Sequence, residues 1–395
     1  MAFRFGRYCL AFCLVVVSGA LSATEIGQPA TVDALSLLTS NNFDELDRRY
    51  SSIQQAYEDG RESDEDLRAA FRVFYATGPA LEPHYEEWVR HSPNSYVAHL
   101  ARGIYYKKVG FDRRGSNFIS ETTEEQLAGM EAAYAIADQE LSASLALNAK
   151  PLLSFHHMMD LRSEVGDKVG TRLLLDSALG IDKKTFIVRE KYMGTLQTRW
   201  GGSVAEMQKF LEECRRAGLS SPHLRRMEEM VVEDEAWVHQ YRDGNVRAAV
   251  RDYKRAAKIN PAAGCQPCAP LMQAADTLLG EKKYKESIKI YSKILASDRD
   301  SIRALDNRAF AELQLKRPAA AVADLQRGIE LNDAYAEDLL GRMYLVGTSV
   351  PQDRDKAIDL LTRAANQNYA PAKELLPNAL NKNAQPLVLP GSPLL

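Results

Sequence analysis

Residues 318–333 read PAAAVADLQRGIELND, and the spacing of their apolar side chains decides the fold. Ala321 is followed four positions later by Leu325 and three positions beyond that by Gly328, which is the spacing of one face of an α-helix. A small residue lets a neighbouring helix approach, and the large residue fills the groove beside it. Asp333 marks the turn into the next segment. The stretch therefore predicts a helix that packs closely against a paired helix.

The same pattern of a small residue followed four positions later by a large one recurs through the C-terminal third of the chain. Its members are Ala249/Tyr253, Ser287/Tyr291, Ala321/Leu325 and Ala357/Leu361. The small residues lie 38, 34 and 36 positions apart, and a spacing of about 34 is that of a two-helix repeat. The sequence therefore predicts consecutive helix pairs.

The remainder of the chain also has helical spacing and helix-start chemistry. Ser63 with Asp66 and Ser203 with Glu206 have the spacing of capping boxes, and one long helix is predicted from about 123 to 148. No segment alternates apolar and polar residues over a sustained run, so no sheet is expected. The predicted fold class is all-α, a right-handed superhelical solenoid of antiparallel helix pairs.

The C-terminal repeats, from about 233 to 376, resemble tetratricopeptide repeats, and the last one is similar to the Sel-one-like variant. The residues that carry this likeness are Leu340-Gly341, Tyr344, Gly347, Val350, Asp353, Lys356-Ala357, Ala364-Ala365 and Ala372. Ser349 and Asn368 occupy positions where that variant has glycine. Asparagine tolerates the left-handed conformation, so Ser349 is the greater departure. The resemblance implies a scaffold fold and leaves the partner open.

Three further segments are similar to the bacterial domain-of-unknown-function family 4034. They read WVRHSPNSYVAHLARG (88–103), GFDRRGSNFISETTEEQ (110–126) and RWGGSVAEMQKF (199–210). This resemblance implies a helical domain joined to helical repeats. The predicted division is a signal peptide at 1–23, an N-terminal helical domain at 24–232, repeats at 233–377 and a flexible Pro-containing tail at 378–395.

The first residues have the pattern of a secretory signal peptide. Arg4 and Arg7 precede a short apolar run at 8–17, and small residues follow it. The run is shorter than the ~20 residues that span a bilayer, and a retained signal anchor is the alternative. No later stretch is apolar enough to cross a membrane. The chain has no Asn-x-Ser/Thr acceptor, so the expected location is the bacterial periplasm or the secreted fraction.

Removal of the signal peptide leaves Cys214, Cys265 and Cys268. A local structural disulfide between Cys265 and Cys268 is expected in an oxidising compartment, with Cys214 unpaired. A redox pair would need a preceding strand, haem attachment a following histidine, and zinc further ligands. His156-His157, beside two methionines, would suit copper, but consecutive helix residues point about 100° apart. Core methionines with partly exposed histidines are expected instead, without metal or cofactor.

The formal net charge of −3 gives no basic field for nucleic acid or anionic lipid. One concentrated basic patch stands out, and it is a candidate site for an anion or an acidic partner. Its members are Arg102, Lys107, Lys108, Arg113 and Arg114. A solvated loop balanced by nearby glutamates is the alternative. The glycine-rich turn 199–203 is interpreted as structural, with Trp200 packed at its corner.

A recognition face is predicted on the first helices of two adjacent repeats, because polar residues and one aromatic recur there at helical spacing. Its members are Gln273, Asp276, Arg303, Asn307, Phe310 and Gln314. Burial of Phe310 between repeats is the alternative. No short catalytic motif occurs, so the leading hypothesis is an exported, non-catalytic scaffold that binds a protein or peptide. A periplasmic immunity or inhibitor protein for a secreted toxin is the second hypothesis, and a cell-envelope enzyme is the third.

Overall fold

The structure, a computed structural model, describes residues 28–115, 122–259, 268–347 and 349–381. Within these ranges it is all-α without a strand, which confirms the predicted fold class. Short 3-10 turns lie at Phe71–Tyr75 and Thr198–Trp200, and a π-turn lies at Val238–Arg242. The helices are α1 (Gln28–Thr39), α2 (Phe43–Glu58), α3 (Asp64–Ala70), α4 (Glu82–His91), α5 (Tyr96–Arg114), α6 (Glu124–Leu147), α7 (Leu152–Glu164), α8 (Lys168–Ile181), α9 (Ile187–Thr195), α10 (Val204–Arg216), α11 (Ser221–Trp237), α12 (Val246–Ile259), α13 (Cys268–Gly280), α14 (Tyr284–Ser297), α15 (Ile302–Gln314), α16 (Pro318–Glu330), α17 (Ala334–Val346), α18 (Arg354–Asn366) and α19 (Ala370–Leu380).

The chain divides into two compact units, each with its own interior. Unit 1 runs to Thr195 and includes Glu213–Leu219, whereas unit 2 comprises Leu196–Glu212 and the residues from Ser220 onward. The boundary predicted from the sequence, between an N-terminal helical domain ending at 232 and repeats beginning at 233, stays a prediction. Among the described residues, no helix is both long and apolar enough to cross a membrane.

In unit 2, consecutive helices from α11 to α19 each pack against the next one along the chain. The helices form pairs in which α11, α13, α15 and α17 come first and α12, α14, α16 and α18 come second. The first helices also meet across neighbouring pairs, because α13 contacts α15. Such stacking buries apolar residues within and between the helix pairs.

The small-large pattern of the sequence forms this interior. All four small residues are fully buried, and all four large partners are at least 95% buried. Each pair lies on a second helix: Ala249/Tyr253 on α12, Ser287/Tyr291 on α14, Ala321/Leu325 on α16 and Ala357/Leu361 on α18. The repeat spacing predicted from these residues is therefore confirmed.

The turns between paired helices give independent evidence for the repeat. Gly244, Lys282 and Lys316 all have positive φ angles, of 65°, 57° and 57°, and the steps between them match those of the small residues. In the last repeat, Ser349 and Asn368 have φ angles of 69° and 65°. Both residues thus adopt the left-handed conformation for which the Sel-one-like pattern uses glycine. The departure at Ser349 leaves that conformation unchanged.

Unit 1 is organised around the close packing of α5 on α6. A Cβ atom at Gly103 would lie 2.7 Å from the Leu141 side chain, and one at Gly110 would lie 2.4 Å from the Tyr134 ring. Only glycine permits this approach. The predicted long helix is α6, and Thr123 and Gln126 form the capping box that begins it.

A second feature of unit 1 is a buried carboxylate that holds distant segments together. Asp64 accepts hydrogen bonds from the Thr185 hydroxyl at 2.7 Å and from the backbone N–H groups of Phe186 and Ile187 at 2.6 and 3.1 Å. Asp64 therefore accepts hydrogen bonds from N–H groups at the start of α9, where a helix has no acceptors of its own for them. The carboxylate belongs to α3, which begins with the capping box predicted at Ser63 and Asp66.

Candidate functional site

The most connected polar group among the predicted recognition residues is Asp276, which lies on α13 of unit 2. Its carboxylate accepts hydrogen bonds from the Tyr291 hydroxyl at 2.6 Å, from the Asn307 amide at 2.9 Å and from the Arg303 guanidinium. Arg303 and Asn307 sit one turn apart on α15, so one carboxylate ties two first helices together. The Asp276 side chain is 11% exposed and that of Arg303 is 40% exposed. The arrangement holds a partly exposed guanidinium in a fixed position.

Tyr241, in the π-turn that follows α11, extends this polar network with an aromatic ring. Its ring is half exposed and packs against Trp237, with ring centroids 5.3 Å apart. Burial, with the nearby Asp276 carboxylate, raises the pKa of Tyr241, whereas Arg199 and Arg303 oppose that rise. Tyr241 therefore lies close enough to these charged groups to interact with them. We define the inner-helix face as Arg199, Tyr241, Asp276, Arg303 and Asn307.

Trp200 adds a second exposed aromatic group beside Arg199. The Arg199 guanidinium lies 5.8 Å from the centre of the Trp200 ring, and 59% of this residue is exposed. The sequence interpretation placed Trp200 in a packed corner, and that interpretation is wrong. Gly201, which follows it, has a φ angle of +82°, so the backbone reverses there and carries the ring outward.

The other predicted recognition residues are half-buried as well. Phe310 is half-buried, and its ring contacts that of Tyr284 edge-on, with centroids 6.4 Å apart. Phe310 thus contacts the second helix of the preceding pair but is not fully buried, so the choice between the two interpretations stays open. Gln273 and Gln314 are also half-buried, on α13 and α15. Their role in binding stays a prediction.

Sequence reasoning did not single out Tyr241, and it interpreted Arg199 and Trp200 only as part of a structural turn. A signal was present: a tryptophan beside an arginine, in a glycine-rich turn, is a combination enriched at recognition surfaces. Contact with the first helices depends on the packing of α11 and could not be inferred from spacing.

Three cations of the predicted basic patch have carboxylate partners within unit 1. Arg102 donates to Glu140 at 2.5 Å, Lys107 pairs with Asp160, and Lys108 pairs with Asp112. Lys107 is buried, whereas the pair at Lys108 is half-exposed. These partners reduce the field available to an anion.

The two other cations of that patch lie near the end of α5. Arg113 donates to the backbone carbonyl of Gly129 at 3.4 Å, and Arg114 interacts electrostatically with Glu164. The anion site stays a prediction.

His156 and His157 are both buried, with exposures of 3% and 2%. The expectation that they are partly exposed is wrong, because α7 is enclosed within unit 1. Burial holds the pKa of both imidazoles well below the usual value, so both are neutral. Within the described ranges, no group of three or more His, Cys, Asp or Glu side chains is placed to hold a metal ion.

The predicted disulfide lies outside the part of the chain whose side chains the structure describes, since Cys265 and the Cys268 side chain are not among them. Cys214 is a free, buried thiol, and burial raises its pKa to about 11. A thiol in this state is protonated and unreactive.

Asp306, which lies on α15 as Arg303 does, has a raised carboxyl pKa. Burial and the adjacent Asp333 carboxylate raise the pKa of Asp306 to about 8, and Oδ1 of Asp306 has no hydrogen-bond partner within the protein. Asp333 also begins α17 by accepting from the backbone N–H of Ala336 at 2.7 Å. Two carboxyl groups this close cannot both be charged without cost, so Asp306 keeps its proton near neutral pH.

The paired helices, their spacing and the polar face of the first helices define a tetratricopeptide-like helical-repeat protein. Residues 30–168 match the family model described as Domain of unknown function (DUF4034), which confirms the resemblance seen in the first two N-terminal segments. The third segment, 199–210, lies beyond the matched residues. No curated protein matches this sequence.

Solved structures that match this chain at low identity include two tetratricopeptide repeat proteins. A tetratricopeptide repeat protein from Parabacteroides merdae is 16% identical, with a TM-score of 0.34, over 64% of this chain and 94% of that one. The TPR domain of P58(IPK) is 13% identical, with a TM-score of 0.24, over 83% of this chain and 97% of that one.

Proposed function

We propose that this protein is an exported, non-catalytic scaffold that binds a protein or peptide partner on the inner-helix face. The observation that carries the proposal is the Asp276 network, which fixes the Arg303 guanidinium and the Asn307 amide near the half-exposed ring of Tyr241. Tyrosine, tryptophan and arginine are the residues that contribute most to binding at protein interfaces. Repeats of paired helices use their first helices for such recognition.

The chemistry of the face indicates the kind of peptide that would bind. Tyr241 and Trp200 offer exposed ring surface for an apolar side chain, and Arg303 offers a guanidinium for a carboxylate. Because Asp276 already orients Arg303, little side-chain freedom is lost on binding. The expected partner segment combines an apolar residue with an acidic one.

A displayed library of random peptides, selected on the full-length protein, tests this proposal. Dissociation constants of the selected peptides are then measured by fluorescence anisotropy. Tyr241→Ala and Arg303→Ala should each weaken binding by roughly tenfold or more, which corresponds to about 1.4 kcal/mol. Arg327→Ala is the matched control, because Arg327 pairs with Asp300 from a second helix. Equal affinities for all variants would contradict the assignment of the face.

Export is a separate part of the proposal and has its own test. Fractionation of cells that express the full chain should place it in the periplasm, with an N-terminus near residue 24. A full-length chain in the cytosol would refute export and leave the binding proposal untouched.

A further inference from the structure

Unit 1 contains a polar cleft of about 590 Å³ that is separate from the residues of the inner-helix face. It lies between α2, the turn that precedes α5 and the end of α6, and it falls within the residues that match the family model. Six side chains matter for its chemistry: Asp47, Ser51, Gln54, Glu58, Ser95 and Asn148. Its volume is within the range of sites for small molecules.

One wall of the cleft is a polar stripe on α2. Asp47, Ser51, Gln54 and Glu58 are spaced four, three and four residues apart, so they lie along one side of the helix. The buried apolar residues of α2 lie at other positions and pack into the core: Phe43, Leu46, Tyr50, Ala56 and Tyr57. Four polar residues of one helix therefore line the cleft.

The deepest polar group of this stripe is Gln54, which is 3% exposed. Its Nε2 donates to Glu58 Oε1 at 2.8 Å and to the Lys150 carbonyl at 3.1 Å. Both partners accept hydrogen bonds, so the atom of the Gln54 amide that faces them must be the nitrogen Nε2. The amide oxygen Oε1 is therefore the atom that faces away from them. Gln54 Oε1 has no hydrogen-bond partner within the protein. A buried acceptor without a partner is costly, and a bound molecule that donates a hydrogen bond would relieve that cost.

The charges around the cleft restrict the chemistry of its ligand. No lysine or arginine lines the cleft, whereas Asp47 and Glu58 do, so a phosphate or carboxylate would be repelled. Asp47 already accepts from the Trp88 indole N–H at 3.2 Å, from the Ser92 hydroxyl at 2.6 Å and from the Ser95 hydroxyl. These three donors use much of the hydrogen-bonding capacity of the Asp47 side chain.

The second carboxylate, Glu58, is also engaged. It accepts from Gln54, and the Lys150 ammonium donates to the Glu58 backbone carbonyl at 2.8 Å. Lys150 thus offsets one of the two negative charges of the cleft. Amides and hydroxyls predominate among the remaining side chains of the lining, and these groups both donate and accept.

We propose that this cleft binds a neutral, polyhydroxylated molecule of one or two sugar rings. Sugar hydroxyls would exchange hydrogen bonds with Ser51 and Asn148 at the rim, and a small turn of the Gln54 side chain would bring its Oε1, which is itself shielded from solvent, within reach of one of them. The cleft thereby gives the N-terminal region a ligand class that is independent of the peptide-binding face in unit 2. Failure of either proposal leaves the other standing.

Saturation-transfer NMR and calorimetry with the full-length protein test this inference. The probes are glucose, N-acetylglucosamine and the disaccharides cellobiose and chitobiose, with arginine amide and inorganic phosphate as charged alternatives. At least one sugar should bind with a dissociation constant on the order of 1 mM, and phosphate should not bind. Gln54→Met should weaken sugar binding by about three- to tenfold, the factor expected for one hydrogen bond.

Two further variants separate a binding defect from a folding defect. Ser51 is exposed, so Ser51→Leu should fold normally and obstruct the cleft, and sugar binding should fall below detection. Gln139, exposed on α6 outside the cleft, provides the matched control, and Gln139→Met should bind like the parent. Binding of arginine amide in preference to sugars would overturn the proposal. So would sugar binding that survives Ser51→Leu, or the absence of binding to all four sugars.

Discussion

Replacement of Asp306 by asparagine is expected to stabilise unit 2 increasingly as the pH rises from 4 to 8. The pKa of Asp306 is raised from 3.8 to about 8, chiefly by burial and then by the Asp333 carboxylate. A carboxyl whose pKa is higher in the folded state than in the unfolded state binds its proton on folding. Its contribution to stability is therefore complete below the unfolded pKa and is lost as the pH rises through the folded pKa.

The magnitude follows from the size of this shift. Each pH unit between the two pKa values corresponds to at most ~1.4 kcal/mol, which gives a ceiling of ~5–6 kcal/mol. Asp306 is half-buried, so solvent screening reduces the expected loss to about 1–3 kcal/mol between pH 4 and pH 8. Asparagine does not ionise, and its amide can still donate to Asp333. The variant should match the parent near pH 4 and exceed its stability at pH 8.

Urea unfolding followed by circular dichroism, at several pH values, measures the difference. Hydrogen exchange in α15 and α17 locates it. Glu233, whose pKa burial raises to about 7, adds a pH dependence of the same sign that is common to both proteins and cancels. Asp359→Asn, at an exposed position on α18, controls for the loss of one charge. A constant stability difference between Asp306→Asn and the parent from pH 4 to pH 8 would refute the reasoning.

Three other predictions concern packing and reactivity. Gly110→Ala should destabilise the protein by about 1–3 kcal/mol in urea unfolding, because its Cβ would overlap the Tyr134 ring. Gly180→Ala, with no atom within 4 Å of the new Cβ, should be neutral or stabilising by up to ~1 kcal/mol, and a loss like that of Gly110→Ala would contradict the packing argument. Cys214 should react with iodoacetamide at pH 8 only after unfolding, as mass spectrometry would detect; rapid labelling of the folded chain would disprove its burial. Asp64→Ala should cost about 2–4 kcal/mol, since three hydrogen bonds to a buried carboxylate are lost, and an unchanged urea midpoint would contradict that role.

The repeat architecture was predictable from sequence because its determinants are short-range. Ala321 and Leu325 lie four residues apart and are both buried, and this spacing alone indicates which face of the helix is buried. The capping boxes at Ser63 and Thr123 are equally local. Local rules of this kind act in the same way in any helical protein.

The parts of the candidate sites that sequence missed depend on distant contacts. Lys107 reads as an exposed cation, but its partner Asp160 is 53 residues away, and the pair is formed only when α5 packs on α7. Asp276 was assigned to the recognition face, yet its hydrogen bonds to Arg303 could not be inferred. The polar stripe on α2 was visible at helical spacing, but a stripe becomes a cleft only when α5 and α6 enclose it.

The shared turn conformation at Lys282 and Lys316 has a consequence for how such a chain can grow. The two lysines are 34 positions apart, have the same φ angle of 57°, and bracket one complete structural module. After a tandem duplication of 282–315, the backbone would have the same conformation at both junctions of the added copy. The copy could therefore be inserted without a change in the structure of the adjacent repeats. Evolution can therefore lengthen or shorten this array in whole modules, and change the reach of its binding surface, while the N-terminal unit stays as it is.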